Sequence, residues 1–198
     1  FKIIHFCHFQ VSTSVEWDAE AAEKAGYEHF MIKEIHEQPK AVSDTLNSVV
    51  KDGAIDLSEV GLSEEEIKEI SQIYIVACGS AYHVGVAAQY VMEDLARIPV
   101  RVELASEFRY RNPILDPKGL VIIISQSGET ADSLAALRES KKQGVKTLGI
   151  VNVIGSSIAR EADNVFYTLA GPEISVATTK AYSTQPVSYT HLTLPTIA

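Results

Sequence analysis

The chain has 198 residues, 46% of them apolar and 22% charged, with a formal net charge of −9 and a pI near 5.1. That is the composition of a globular domain with a sizeable core, and it excludes a disordered tail, a collagen-like repeat and a disulfide scaffold. The acidic balance argues against nucleic-acid binding, no apolar run reaches the roughly 20 residues that span a bilayer, and two cysteines, Cys7 and Cys78, suit a reducing cytoplasm better than a secreted framework.

Phe1–Ser12 is apolar and aromatic but lacks both clean periodicity and a small-residue cleavage site, so residues 1–14 read as an irregular segment and not as a signal peptide. From Asp18 to Gly53 the spacing becomes helical. Tyr27, Met31 and Ile35 recur every fourth residue, and Val42, Leu46, Val49 and Val50 mark one face of a second helix, with Pro39 between the two. Ser63 followed by Glu64, Glu65 and Glu66 is a capping box opening a short acidic helix, and residues 15–72 together form a helical lead-in.

The period then changes. Five strands are expected, at Ile73–Ala77, Val100–Leu104, Leu120–Ile124, Thr147–Val151 and Asn164–Leu169, most of them continuous apolar runs. A helix with Val84, Ala88, Val91 and Leu95 on one face follows the first, and Pro99 lies beyond its end. Another spans about 129–143 before Gly144, a shorter one fits Ser157–Ala162, and a helical turn fits Phe108–Arg111. This alternation predicts an open α/β fold, a flavodoxin-like five-stranded parallel sheet between helical layers, over residues 73–185.

Ligands of such sheets gather at the carboxyl ends of the strands. The first strand ends in Cys78-Gly79-Ser80-Ala81-Tyr82-His83, the third in Ser125-Gln126-Ser127-Gly128-Glu129-Thr130, and the fifth leads into Gly171–Lys180. Ser125, Ser127 and Thr130 bring three hydroxyls to the mouth of a helix, and Gly128 lets the backbone approach a ligand. A helix N-terminus with free amides favours an anion, and phosphate is the obvious guest. Simple capping would need one such residue rather than three. There is no G-x-G-x-x-G, no Gly-Lys-Ser/Thr and no G-x-S-x-G, so the pattern points to a phosphorylated small molecule rather than a nucleotide.

These residues carry a resemblance. Ile75–Ser80, Ser125–Asp132 and the Gly171–Ala181 segment closely resemble the first sugar-isomerase (SIS) subdomain of the glutamine–fructose-6-phosphate aminotransferases (isomerizing), and so do the upstream Gly26–Pro39 and Glu103–Arg111. The resemblance runs from about Trp17 to Gln185 and implies a SIS-type three-layer sandwich. It further implies sugar-phosphate contacts at Gly79, Ser80, Ala81, Ser125, Gln126, Ser127 and Thr130, with Val176 and Thr178 bordering the sugar. Where the family often has Thr-Ser after the first strand's glycine this chain has Ser80-Ala81, which leaves position 81 a backbone contact, and Thr178 replaces a usual serine. The resemblance also implies a homodimeric cytoplasmic parent enzyme, without cofactor, whose glutaminase domain and second SIS subdomain are missing here. Its isomerising glutamate, histidine and lysine map to no residue of this stretch, and no catalytic residue is assigned. Residues 186–198 break the family's apolar helix and read as foreign sequence, so the stretch reads as a fragment.

Cys7 does not match the family's N-terminal nucleophile and reads as an incidental thiol. Cys78 reads as a small buried apolar residue, His83 as a surface or packing residue, and Lys180 either pairs with Glu173 or is solvated. No cluster has metal-ligand spacing. Two other readings stand beside the enzyme fragment: a non-catalytic phosphosugar-sensing module, which would need a basic helix-turn-helix that the acidic Asp18–Glu37 stretch does not offer, and a purely structural dimerisation domain.

Overall fold

Local chemistry sets most element boundaries in the computed structural model, which describes residues 23–197, with side chains through 193. The readings of Phe1–Ser12 and Cys7 lie outside the described residues. Helix α1 spans Phe30–Asn47 and runs through Pro39, where two helices were expected. Proline cannot donate to the carbonyl four residues back, and here the Gln38 side chain supplies the missing bond to the Ile35 carbonyl at 3.1 Å. The buried face of α1 is Lys33, Glu34, Ala41 and Thr45, whereas Tyr27, Met31, Ile35 and Leu46 are exposed. Val50 belongs to no helix. It begins β1 (Val50–Lys51), which pairs with β2 (Ala54–Ile55) across Asp52-Gly53. Both turn residues have positive φ, as a two-residue hairpin loop demands.

Helix α2 (Glu64–Glu69) opens on the expected capping box. The Glu66 amide donates to Ser63 Oγ at 3.2 Å and the Ser63 amide to Glu66 Oε2 at 2.9 Å. Then come β3 (Gln72–Ala77), α3 (Gly79–Ala96), β4 (Val100–Leu104), α4 (Ala105–Phe108) and β5 (Gly119–Ser125). After them follow α5 (Ala131–Lys142), β6 (Lys146–Val151), α6 (Ser157–Glu161), β7 (Asn164–Tyr167) and α7 (Lys180–Ile197). The last strand stops two residues before its expected end, because the Leu169 amide leaves the sheet to bond Thr45 Oγ1 on α1.

The five long strands form one parallel sheet in the order β4-β3-β5-β6-β7. Alternate residues feed two cores. Ile75, Ile122, Ile124 and Ile150 pack with Val84, Ala88 and Met92 of α3 and with Tyr189 and Leu192 of α7. Val76, Val121, Ile123 and Val151 pack with Phe108, Ala136, Leu137 and Ile158 on the opposite face. Burying each of these branched side chains contributes about 1.5–3 kcal/mol, which is why apolar runs without alternation become central strands. On α3 the buried row is Val84, Gly85, Ala88 and Met92, while Val91 and Leu95 are exposed, so the inward face is rotated from the expected one. Gly85 lies so close to β3 that an added Cβ would stand 2.8 Å from Ile75 Cγ2. Helix α7 continues through Pro186 where a break in the pattern was expected, with Ser188, Tyr189 and Leu192 buried.

Candidate functional site

The strand order reverses direction between β3 and β5, and ligands of open α/β sheets bind at the carboxyl ends of the strands beside such a reversal. A cavity of about 240 Å³ opens there. Eight of the nine expected binding residues line it: Ser80 and Ala81 at the start of α3, Ser125, Gln126, Ser127 and Thr130 after β5, and Val176 and Thr178 after β7. Gly79 does not. Cys78, at the N-cap of α3 and half-buried rather than fully buried, lines the cavity in its place. Ile124, Glu173, Ser175 and Gln185 complete the wall without having been singled out from the sequence. Glu173 and Ser175 did sit inside a noted motif, whereas nothing local marks Gln185.

The turn after β5 is built by its own hydroxyls. Ser125 Oγ accepts from the Gly128 amide at 3.1 Å and lies 3.0 Å from Thr130 Oγ1, and Ser127 Oγ accepts from the Glu129 amide at 3.2 Å. Thr130 occupies the N-cap of α5, yet its side chain caps nothing. The Leu134 amide makes the first helical bond, to the Thr130 carbonyl at 2.9 Å, so the amides of residues 131–133 precede any intrahelical acceptor. Gly128 has φ +65, and an added Cβ would fall 2.0 Å from Ser156 Oγ. Its glycine is therefore required by the approach of the Ser156 loop. Behind the turn, the Asn152 and Ile158 amides donate to the carbonyls of Gln126 and Gly128. Glu129 Oε1 accepts from the Ser157 amide at 2.6 Å, and the Ser157 side chain, with that amide, holds the Glu129 carboxyl below its ordinary range.

The opposite wall, residues 171–179, is held from further away. Asn152 Nδ2 donates to the Gly171 carbonyl at 2.8 Å, and Asn152 Oδ1 accepts from the Ala170 amide at 3.0 Å. Glu34 of α1, 2% exposed, accepts from the Ile174 and Ser175 amides at 2.6 and 3.1 Å. Glu173 accepts from the Thr178 hydroxyl at 2.8 Å and from the Thr179 and Ala181 amides, so its carboxylate covers the start of α7. Lys180 neither pairs with Glu173 nor meets solvent. It is 3% exposed and donates to Glu37 Oε2 at 2.7 Å. His83 is exposed, edge-on to Tyr82, and outside the cavity.

No lysine, arginine or histidine is found among the described residues lining the cavity. An anion there would meet hydroxyls, backbone amides and the positive end of a helix. Among the described residues no group of three or more His, Cys, Asp and Glu could hold a metal ion, and no described helix is long and apolar enough to cross a membrane.

Residues 66–195 match the family model of the SIS domain. The chain belongs to the SIS domain family. Curated relatives of this SIS domain include glutamine–fructose-6-phosphate aminotransferases (isomerizing) from Caldanaerobacter subterraneus subsp. tengcongensis and Clostridium tetani, 59% and 60% identical over 175 residues. Each match covers 88% of this chain, and the chain spans 29% of the length of either relative. Among solved structures, the C-terminal domain of glucosamine-fructose-6-phosphate aminotransferase from Francisella tularensis is similar with a TM-score of 0.83 and 47% identity, over 88% of this chain and 49% of that one.

Proposed function

We propose that the cavity of this SIS domain binds a sugar phosphate, and that the chain is the phosphosugar-binding portion of an isomerising glutamine–fructose-6-phosphate aminotransferase. The observation that carries this is the Ser125–Thr130 turn, whose hydroxyl residues line a cavity beside the β3–β5 reversal at the N-terminus of α5. A phosphate dianion accepts hydrogen bonds and donates none, which matches that turn. Glu173 stands in the wall from the 171–179 segment, where its charge would repel a phosphate, so the sugar ring is assigned to that end. The names of the relatives support the reaction of the longer protein: fructose 6-phosphate and glutamine give glucosamine 6-phosphate and glutamate. In this reading the parent is a homodimeric cytoplasmic enzyme, and its glutaminase domain and second SIS subdomain supply the chemistry. One observation favours a purely binding role for this portion. The Glu173 carboxylate is engaged by Thr178, Thr179 and Ala181, which leaves no free general base in the described wall.

Calorimetric titration of the chain with fructose 6-phosphate tests the proposal. Replacing Ser127 and Thr130 together with alanine is expected to weaken binding about 100-fold, since hydrogen bonds to a charged group contribute about 1.5–3 kcal/mol each. Unchanged affinity in that variant would refute the assignment.

A further inference from the structure

The two walls of the cavity meet at one buried residue behind them. Strands β6 and β7 stay paired as far as Val151 and Tyr167, and the Thr168 amide still reaches the Val151 carbonyl at 2.9 Å. Beyond that point the main chains part, and Asn152, 4% exposed, spans the gap with its side chain. Its Oδ1 accepts from the Ala170 amide at 3.0 Å, and its Nδ2 donates to the Gly171 carbonyl at 2.8 Å. Its main-chain amide donates the other way, to the Gln126 carbonyl in the turn after β5, at 3.1 Å. A carboxamide carries a donor and an acceptor side by side, as a peptide group does, so it stands in for the rung the sheet lacks there. Aspartate would accept from Ala170 but turn a second acceptor on the Gly171 carbonyl, and alanine would reach neither.

Asn152 does not itself line the cavity. It fixes where the 171–179 wall begins, at Gly171 with φ +69, relative to the turn that carries Ser127 and Thr130. Glu34 braces the middle of the same wall, and Asn152 its entry. Inorganic phosphate needs the turn alone, whereas a sugar phosphate must meet both walls, so its affinity depends on the span between them. We propose that Asn152 is a positioning residue that sets this span and thereby selects a sugar phosphate over inorganic phosphate. This rests on the sugar-phosphate reading above and deepens it, by assigning the discrimination to a residue behind the lining. A wall in place for only part of the time weakens a ligand that needs it by that fraction and spares a ligand that does not.

Asn152→Ala cuts both side-chain bonds and keeps the main-chain bond to Gln126, so it releases one wall and spares the other. The experiment titrates the wild-type chain and N152A with fructose 6-phosphate and with inorganic phosphate, well below both melting temperatures, and follows amide hydrogen exchange in the ligand-free proteins. The expected result is about a tenfold loss of fructose 6-phosphate affinity, as for a wall in place about a tenth of the time, with inorganic phosphate affinity within about twofold of wild type. Exchange is expected to quicken at residue 170 and to stay unchanged at residues 128 and 129. Asn152→Asp, which keeps the shape but offers Gly171 no donor, is expected to show the same loss of selectivity should the alanine variant fail to fold. Unchanged fructose 6-phosphate affinity in a folded variant overturns the proposal. Parallel loss of both affinities, or faster exchange at residues 128 and 129, overturns it as well, by making Asn152 a prop of the whole fold. A wild-type chain that binds no fructose 6-phosphate overturns the sugar-phosphate reading itself before any substitution is made, and this inference with it.

Discussion

The two walls of the cavity are made differently. The turn after β5 is built by bonds within six residues of one another, Ser125 to Gly128 and Thr130 and Ser127 to Glu129, and is backed by the neighbouring Asn152–Ile158 loop. The 171–179 segment is tied at Gly171 by Asn152 and within itself by Glu173, and at its middle by Glu34, whose carboxylate reaches the Ile174 and Ser175 amides from 140 residues away in the chain. Both the turn and the loop behind it sit at the ends of adjacent strands, so the first wall forms with the sheet. A wall braced at residues 174 and 175 by a remote strut keeps that part of its shape through α1, so the lead-in helix contributes to the site as well as the strands.

Three perturbations sharpen this contrast. The largest effect is expected from Gly128→Ala, which puts a side chain at φ +65 and against Ser156. The left-handed conformation and the overpacking together should cost about 3 kcal/mol in urea unfolding and abolish ligand binding. Stability within experimental error of wild type would show that the Ser156 loop yields freely.

Next is Glu34→Ala. Loss of a charged acceptor shared by two amides should lower stability by about 2 kcal/mol and raise hydrogen exchange at residues 174 and 175 without altering exchange at 128 and 129. Equal deprotection of both walls would show that they are one cooperative unit.

The smallest effect concerns Glu129. Its carboxyl lies below the ordinary 4.5 because Ser157 donates to the ionised form, so its contribution is complete above that value and is lost as falling pH protonates the folded carboxyl. Glu129→Gln should therefore be less stable than wild type near about pH 7 by under 1 kcal/mol, as befits an exposed group, and indistinguishable from it in acid well below 4.5. A difference that grows on acidification would contradict the direction of the shift.

Features with local causes were legible in the sequence. The apolar runs at Ile73–Ala77 and Leu120–Ile124 became buried parallel strands, Ser63–Glu66 became a capping box, and the hydroxyl-rich turn came to line a cavity. What periodicity missed depends on partners distant in sequence. Tyr27, Met31 and Ile35 look like the inward face of a helix, but α1 buries Lys33 and Glu34 because Glu37 and the 174–175 amides satisfy them. Lys180 is buried for the same reason, since its Glu37 partner is 143 residues earlier. Pro39 signals a helix break in any sequence pattern, and the Gln38 side chain is what removes the break. Gln185 is unremarkable on paper because only the packing of α7 brings it to the cavity wall.

The absence of any cation from the described lining bears on how salt would act at the site. An oxyanion held there by alcohols and peptide groups would offer salt no ion pair to screen, so its affinity would respond little to ionic strength. Selection among oxyanions would then fall to what each offers the 171–179 wall.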